Sequence, residues 1–152
     1  MEMTGEQLIP APREVVWIAL NDIAILKDCI PGCIFLEKQE DDSLVAKSVL
    51  KIGPIKATFS GRVSFSNIVP MEGYCIVGEG QGGVAGFAKG GADVYLKDIE
   101  GGTMLIYTAK ADIGGKLAQL GSRLIDSTSK KLAGEFFERF ASEVVAKAAA
   151  LP

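Results

Sequence analysis

The period of the hydrophobic pattern changes once along this chain, and the change limits the folds that the chain can adopt. Over residues 55–65, apolar or small residues alternate with Lys, Thr, Ser and Arg. Alternation over this length predicts a strand with one buried face and one solvated face. From Gly115 to about Ala150, apolar residues recur every three or four positions instead, which predicts one long amphipathic helix. The apolar stripe of that helix consists of Leu117, Leu120, Leu124, Thr128, Leu132, Phe136, Phe140 and Val144.

The rest of the chain divides at residues that favour turns and helix ends. A first strand ends at Ile9, a short helix follows Pro12, and a second short helix begins at the capping residue Asp22. Further strands are predicted over residues 33–39, 43–52, 55–65, 73–81, 87–99 and 102–113. We therefore predict an α+β fold in one domain over residues 1–152. A curved antiparallel sheet of about seven strands would wrap around the long C-terminal helix.

Charged residues on the long helix are spaced so that opposite charges lie four positions apart. These pairs are Asp126/Lys130, Glu135/Arg139 and Glu143/Lys147. Side chains four residues apart are neighbours on a helix surface, so we expect three ion pairs on an exposed face.

Composition excludes several classes of function. Hydrophobic residues make up 48% of the 152 residues, which is enough for a sizeable core. The net charge of −3 argues against nucleic acid, because phosphate binding requires a basic surface. The first ten residues lack the pattern of a secretion signal, and no apolar run approaches the ~18 residues that a membrane-spanning helix requires. We expect a cytoplasmic protein, with peripheral contact at the inner face of the membrane left open.

The chain has no histidine, which removes the usual general base and the usual zinc ligand. Cys29 and Cys33 form a Cys-x3-Cys pair, but two thiols and one distant third cysteine make a poor metal site, and a structural turn is favoured. The string Gly78-x-Gly80-x-x-Gly83 matches a dinucleotide fingerprint, yet a strand follows it where a helix is required. No catalytic residue, metal ligand or resident cofactor is predicted.

The predicted inner face of the sheet carries unusually small side chains. By alternation it includes Gly61, Gly78, Gly80, Ala88 and Gly90. Protein cores are close-packed, so this missing volume must be filled. Either the glycines allow the sheet to bend and the helix to approach closely, or the space is an apolar cavity for a ligand.

Apolar residues near one end of the sheet are the candidate ligand contacts. The turn at Gly53-Pro54, residues 82–87 and the start of the long helix are expected to meet there. A contiguous exposed apolar patch at this place would mark a binding site, although the same residues would also serve to plug the core. Tyr107 lies on the inner face by parity and needs a partner for its hydroxyl, either a ligand or a backbone group. The candidate ligand-binding residues are Ile55, Phe59, Val84, Phe87, Tyr107, Leu117, Leu120 and Leu124.

Several segments together resemble one known family. They are Leu20-Asn-Asp22 with Trp17, Cys29-Ile-Pro-Gly-Cys33, Lys51-Ile-Gly-Pro-Ile-Lys-Ala57, Gly78-Glu-Gly-Gln-Gly-Gly83, Ala85-Gly-Phe-Ala-Lys-Gly90 and Gly114-Gly-Lys-Leu-Ala-Gln-Leu-Gly-Ser-Arg-Leu-Ile-Asp126. Nearly the whole chain is similar to the G-subunit family of carbon monoxide dehydrogenase, within the START/Bet v 1-like (SRPBCC) helix-grip superfamily. The resemblance implies a hydrophobic cavity between sheet and helix. It also implies an accessory role beside a molybdenum hydroxylase of the carbon monoxide dehydrogenase type, which it would attach to the membrane by engaging a quinone or lipid.

Three functions follow as hypotheses. The first is a non-enzymatic accessory protein that binds a lipid or quinone. The second is an enzyme like the polyketide cyclases or lipid hydrolases of the superfamily, which would need a titratable group such as Tyr107 in the cavity. The third is an interaction or assembly module, in which the core is closed and the outer surface contacts a partner.

Overall fold

Turns rich in glycine and acidic residues separate seven strands and three α-helices within residues 1–150, the part of the chain that the computed structural model describes. The strands are β1 (Glu2–Ile9), β2 (Cys33–Lys38), β3 (Leu44–Ile52), β4 (Ile55–Val69), β5 (Gly73–Gln81), β6 (Phe87–Ile99) and β7 (Gly102–Gly114). The α-helices are α1 (Arg13–Leu20), α2 (Ile23–Cys29) and α3 (Ser122–Ala149), and short 3-10 helices cover Gly83–Ala85 and Gly115–Leu120. This order of elements confirms the predicted α+β fold.

The strands form one antiparallel sheet in the order β1-β7-β6-β5-β4-β3-β2. Successive hairpins of such a sheet turn at opposite ends. The turn at residues 53–54, the loop of residues 82–86 and the segment after β7 therefore share one end. The turns at residues 39–43, 70–72 and 100–101 share the other end. This topology confirms that the three segments expected at one end of the sheet do lie there.

Burial follows the predicted alternation along the sheet. On β4, the odd-numbered residues from Ile55 to Phe65 are half-buried and their even-numbered neighbours are exposed. The strand continues to Val69, four residues beyond the predicted end, because Val69 still lies opposite Gly73 after a register shift. The inner face of the sheet is the one that the parity of Ala57, Phe59 and Gly61 predicts.

The core lies between the sheet, α3 and the two short helices. Ile9, Val16, Leu105, Phe140 and Val144 are its largest buried aliphatic and aromatic side chains, each at most 1% exposed. Burying such a side chain contributes roughly 1.5–3 kcal/mol. The core therefore concentrates near the α1–α2 end of α3, and the sheet region beyond it is the part lined by small residues.

The long helix begins later than the pattern predicts. Residues Gly115–Leu120 form a 3-10 helix, and Gly121 separates it from α3 with a φ of 89°. A φ in this region is strained for any residue with a Cβ, so the position requires glycine. The glycine allows the chain to change direction between the 3-10 helix and α3. The predicted apolar stripe still faces inward, since none of its eight residues is exposed.

The predicted ion pairs along α3 are wrong for the described residues, where none of the three pairs forms. Instead, Lys147 Nζ lies 3.5 Å from Asp22 Oδ2, and Cys29 Sγ donates to Glu143 Oε2 at 2.9 Å. For Glu143 and Lys147 the reason is that α2 packs against α3, so that Cys29 and the α2 cap Asp22 offer other partners. Asp22 also caps α2, because its Oδ1 accepts hydrogen bonds from the backbone N–H groups of Ala24 and Ile25.

Candidate ligand-binding site

Small residues lie next to one another across three neighbouring strands of the sheet, β4, β5 and β6. Gly80 of β5 lies opposite Gly61 of β4 on one side and Ala88 of β6 on the other. One step along, Gly78 lies opposite Gly90. The inner face therefore carries a continuous area with almost no side-chain volume, directly under the N-terminal half of α3.

The glycines of this area serve two different purposes. A Cβ added to Gly80 would meet only the Ser60 carbonyl oxygen, at 4.0 Å, so Gly80 adjoins open space. A Cβ at Gly61 would lie 2.8 Å from the Glu79 carbonyl oxygen, and one at Gly90 would collide with the Lys110 carbonyl oxygen. At Gly61 and Gly90, glycine is thus required by the close approach of neighbouring backbones in a bent sheet. Sheet bending therefore accounts for Gly61 and Gly90, whereas Gly80 adjoins open space.

An apolar cavity of about 230 Å³ occupies the space above Gly80. Its floor is the sheet, its roof is α3, and the 3-10 segment supplies Leu117. The lining residues are Leu50, Ile52, Phe59, Gly80, Ala88, Ile113, Leu117, Ile125, Thr128, Ser129 and Leu132. None of these side chains is charged or titratable near neutral pH. A ligand held here must therefore be largely apolar and uncharged.

Two hydroxyl groups are the polar side-chain atoms of the lining. Ser129 Oγ donates a hydrogen bond to Met1 Sδ at 3.2 Å. Thr128 makes no side-chain hydrogen bond to other residues of the described part, so its hydroxyl is free to meet a carbonyl or hydroxyl of a ligand. A single hydroxyl in an apolar pocket fixes the orientation of a ligand without requiring a charge on it.

The cavity volume limits the size of the enclosed group. An apolar cavity of about 150 Å³ in a protein holds a benzene molecule. At about 230 Å³, this cavity holds one substituted ring or a short acyl segment. A longer isoprenoid or acyl chain would have to extend past the lining residues or displace α3.

Two of the predicted ligand contacts line the cavity. Phe59 projects from the inner face of β4, and its ring also covers the backbone of Gly82. Leu117 is 3% exposed and enters from the 3-10 segment. Alternation on β4 and the apolar stripe of the helix were the signals that found these two residues.

The other predicted contacts lie around the cavity or away from it. Ile55 and Leu120 are half-buried at the same end of the sheet, and Leu124 covers the turn at Gly53, whose added Cβ would lie 2.7 Å from Leu124 Cδ2. Val84 and Phe87 are exposed, and the Phe87 ring lies against Gly114 on the outer face. Tyr107 stacks on Phe137, with ring centroids 5.3 Å apart, and its ring covers Gly5.

The prediction of a contiguous exposed apolar patch is therefore wrong. Only Val84 and Phe87 of that set are exposed, because the 3-10 segment folds back and turns its leucines towards the sheet.

Ile125 and Ser129 are lining residues that the sequence patterns did not indicate. Each follows a residue of the predicted stripe by one position, and the buried face of a helix is wider than a single row of side chains. Leu50 and Ile52 were also not predicted as ligand contacts. They face inward by alternation on β3, and Ile52 lies opposite Ile55.

A second cavity, of about 310 Å³, lies at the other end of the sheet. Trp17, Phe65 and Tyr74 form its aromatic wall, while Lys38 and Asp42 stand at its rim. Tyr74 packs edge-on against Trp17 and stacks on Phe65, with ring centroids 5.5 Å and 5.3 Å apart. This second cavity shares no lining residue with the first, and its charged rim makes it the poorer match for an uncharged apolar ligand.

Two buried titratable groups, Cys29 and Tyr74, are held in their neutral forms. Burial, followed by the hydrogen bond to Glu143, raises the pKa of Cys29 from 9.0 to about 12. Burial also raises the pKa of Tyr74 from 10.0 to about 12. Both groups are therefore poor acids and poor nucleophiles near neutral pH.

Across residues 1–150, no group of three Cys, Asp or Glu side chains is arranged to hold a metal ion. None of the helices described combines the length and the apolar character needed to cross a membrane.

Comparison with known proteins identifies one family. A family model for the G subunit of carbon monoxide dehydrogenase (CoxG) matches residues 5–145. Comparison with curated proteins gives no match. Among solved structures, a conserved protein from Geobacillus kaustophilus is 30% identical, covers 96% of each chain and superposes with a TM-score of 0.91.

More distant structures share the fold. The Zhui aromatase/cyclase from a Streptomyces species has a TM-score of 0.72 at 12% identity, covering 99% of this chain and 96% of that one. Ara h 8.0201 has a TM-score of 0.67 at 16% identity, covering 96% of this chain and 98% of that one. At such identities the likeness shows the fold alone, and it confirms the predicted Bet v 1-like architecture.

Proposed function

Because the chain belongs to the CoxG family of carbon monoxide dehydrogenase, we propose that it is a non-enzymatic accessory protein that binds a lipid or quinone in the apolar cavity. One observation carries the proposal: the eleven residues that line a cavity of about 230 Å³ include no charged side chain. An uncharged apolar molecule is the ligand class that such a lining accepts without a desolvation penalty.

A quinone ring fits this cavity in size and polarity. The ring would lie between Phe59 and Leu132, and one of its carbonyl oxygens would accept a hydrogen bond from the Thr128 hydroxyl. The isoprenoid tail would then leave past the 3-10 segment that carries Leu117. A fatty acyl chain is the other member of the class, with its ester or hydroxyl group at Thr128.

The chemistry of the lining favours binding over catalysis. General acid or base catalysis requires a titratable group within hydrogen-bond distance of the substrate. Tyr107, which the enzyme hypothesis requires, stacks on Phe137 and is not among the lining residues. The likeness to an aromatase/cyclase concerns the fold and supplies no catalytic group.

The family description supports the proposed partner. We propose that the protein acts beside a molybdenum hydroxylase of the carbon monoxide dehydrogenase type, at the inner face of the membrane. A bound quinone would be useful in this pairing, because an enzyme that oxidises its substrate must pass the electrons to an acceptor and a quinone can take them.

The test begins with native mass spectrometry of the freshly purified protein, followed by organic extraction of any bound molecule. We expect a mass increment that disappears on extraction and an apo protein that takes up a short-chain quinone. Ala88→Leu, which projects a larger side chain into the cavity, should abolish uptake. Lys89→Leu is the matched control, because it introduces leucine at the neighbouring position of the same strand, where the side chain lies on the outer face of the sheet. Uptake that is equal in both variants, or absent from the wild type, would refute the proposal.

The partner is tested separately by co-purification of the tagged chain with a molybdenum hydroxylase from the same cells. Recovery of the hydroxylase by the wild type and by Ala88→Leu alike would show that partner binding does not depend on the ligand. Failure to recover the hydroxylase would contradict the proposed partner. The proposal that the cavity binds a ligand would not be affected.

A further inference from the structure

The hydroxyl group of Tyr74 has no partner inside the second cavity. The Tyr74 side chain lines this cavity from the inner face of β5, opposite the buried Val94 of β6, and the residue is only 8% exposed. Every side-chain nitrogen or oxygen of residues 1–150 that is sealed from solvent has a hydrogen-bond partner. The unpaired Tyr74 oxygen must therefore border open space, which on this face of the sheet is the cavity.

A buried tyrosine hydroxyl usually has a partner, because leaving it unpaired costs free energy. Burial raises the pKa of Tyr74 to about 12, so the hydroxyl keeps its proton near neutral pH. It can then either donate or accept a hydrogen bond. Tyr74 thus offers a polar contact deep in the cavity to a ligand that carries a hydroxyl or carbonyl group.

The deep wall around this hydroxyl is aromatic. Trp17 and Phe65 lie on two sides of the Tyr74 ring, and the buried Leu20 and Leu26 complete the apolar part of the lining. Aromatic rings pack well against such a wall, edge to face or offset-stacked. Since an apolar cavity of about 150 Å³ holds benzene, about 310 Å³ gives room for one ring with a short chain.

The lining changes from aromatic to charged at the mouth of the cavity. It includes the carboxylates of Asp41 and Asp42 and the ammonium group of Lys38. Lys38 Nζ lies 3.3 Å from Asp42 Oδ1, and Arg62 Nη1 lies 3.9 Å from Asp41 Oδ2. All four side chains are more than half exposed. Ion pairs this exposed contribute little, so the cation of a ligand can replace Lys38 at Asp42 at small cost.

The charges around the mouth leave a small excess of negative charge. They comprise the charged lining residues, the charged residues next to the lining in sequence, and the two bases that reach these carboxylates from outside. The acidic members are Asp22, Glu37, Glu40, Asp41 and Asp42, and the basic members are Lys27, Lys38, Arg62 and Lys147. The mouth therefore favours a positively charged group over an anion.

We propose that the second cavity binds a small aromatic amine whose ring carries a hydroxyl group. The ring packs against the aromatic wall, its hydroxyl forms a hydrogen bond with the Tyr74 hydroxyl, and the ammonium group lies at the mouth beside Asp42. This inference goes beyond the proposed function, because it concerns a different cavity and a charged ligand that the uncharged lining of the first cavity would reject.

Trp17 is the single tryptophan of the chain and lines this cavity, so its fluorescence reports occupancy. The purified protein is titrated with tyramine, with phenethylamine, which lacks the hydroxyl, and with 4-ethylphenol, which lacks the amine. We expect a saturable change with tyramine. Phenethylamine should bind about fivefold more weakly, the usual contribution of one hydrogen bond. 4-Ethylphenol should bind about threefold more weakly, the contribution of an exposed ion pair.

Two variants assign these preferences to residues. Tyr74→Phe keeps the ring and should bind tyramine and phenethylamine equally. Tyr95→Phe is the matched control, because it removes a hydroxyl from an exposed tyrosine on the outer face of β6, and it should keep the preference for tyramine. Asp42→Asn should remove the preference for tyramine over 4-ethylphenol, and asparagine tolerates the φ of 68° at this position. Asp112→Asn, on an exposed part of β7, is its control.

A wild-type protein that shows no saturable change with tyramine would overturn the proposal, as would a Tyr74→Phe variant that still prefers tyramine to phenethylamine. Equal binding of tyramine and 4-ethylphenol by the wild type would overturn it too and would assign the cavity to neutral phenols. Ala88→Leu, which fills the first cavity, should leave tyramine binding unchanged. Loss of tyramine binding in this variant would place the amine in the first cavity and contradict the second site, whatever the result of quinone uptake.

Discussion

Gly80 and Ala88 lie directly opposite one another on β5 and β6, and a Cβ added to Gly80 would meet only the Ser60 carbonyl oxygen, at 4.0 Å. The first prediction follows from this open space. Gly80→Val should lower the affinity for an apolar fluorescent probe at least tenfold, because its side chain enters the cavity. The free energy of unfolding should stay equal or rise by about 1 kcal/mol, since the new methyl groups are buried. Probe titration and urea unfolding measure the two effects, and unchanged affinity would contradict the assigned site.

Gly90 provides the opposite case on the neighbouring strand. A Cβ at Gly90 would collide with the Lys110 carbonyl oxygen of β7, which is backbone and cannot move aside. Gly90→Ala should therefore lower the free energy of unfolding by about 1–3 kcal/mol, the usual cost of overpacking. Gly80→Ala is the control, because it adds the same methyl group where space exists. Equal stability of the two variants in urea unfolding would show that the sheet is not bent as described.

The sequence predicted the inner face of the sheet but not the different roles of its glycines. Alternation identifies Gly61, Gly80 and Gly90 as inward positions, since parity depends only on position along a strand. Which of them adjoins open space depends on how neighbouring backbones approach in the bent sheet. That geometry arises from long-range pairing, so no local pattern distinguishes Gly80 from Gly90.

The site was predictable to a similar extent. Phe59 and Leu117 were found because each belongs to a regular pattern whose buried side is unambiguous. The position of Leu124 over the turn at Gly53 depends on where α3 begins, which follows from the break at Gly121. Val84 is exposed because it lies in the loop between β5 and β6. Glycine within an apolar helical pattern is usually tolerated, so the pattern alone predicted an uninterrupted helix.

The break at Gly121 leads to a third prediction. Gly121 has a φ of 89°, and a Cβ there would meet no atom within 4 Å, so an alanine would suffer conformational strain and no clash. Gly121→Ala should lower the free energy of unfolding by about 1–3 kcal/mol, because with a ψ of 153° this backbone conformation is essentially limited to glycine. Gly134, within α3 and also without neighbours, is the matched control, and Gly134→Ala should raise it by about 0.5–1 kcal/mol. Thermal unfolding of both variants measures these changes. A Gly121→Ala variant more stable than the wild type would contradict the positive φ at Gly121 that separates the 3-10 helix from α3.

The three cysteines should differ in reactivity towards iodoacetamide. Cys29 is fully buried and its thiol donates to Glu143, whereas Cys33 and Cys75 are half-buried. The thiolate is the reactive form, so the raised pKa of Cys29 suppresses its alkylation further. Peptide mass spectrometry after brief alkylation near pH 8 should find Cys33 and Cys75 modified and Cys29 unmodified. Alkylation of Cys29 without denaturant, at the rate of Cys75, would contradict the packing of α2 on α3.

The same thiol should make the protein less stable in alkali. Burial and the contact with Glu143 raise the pKa of Cys29 from 9.0 to about 12, so the folded state keeps a proton that the unfolded state loses. The contribution of Cys29 is therefore fully present below pH 9 and is lost as the pH rises towards 12. Tyr74 acts in an overlapping window, between 10 and about 12, for the same reason. Between pH 9 and 10, the Cys29 thiol of the unfolded chain ionises before the Tyr74 hydroxyl does. The free energy of unfolding in urea is therefore compared between neutral pH and this range. Cys29→Ala should lose less stability than the wild type between these two conditions. Parallel losses would mean that burial and the contact with Glu143 do not hold the Cys29 proton in the folded state.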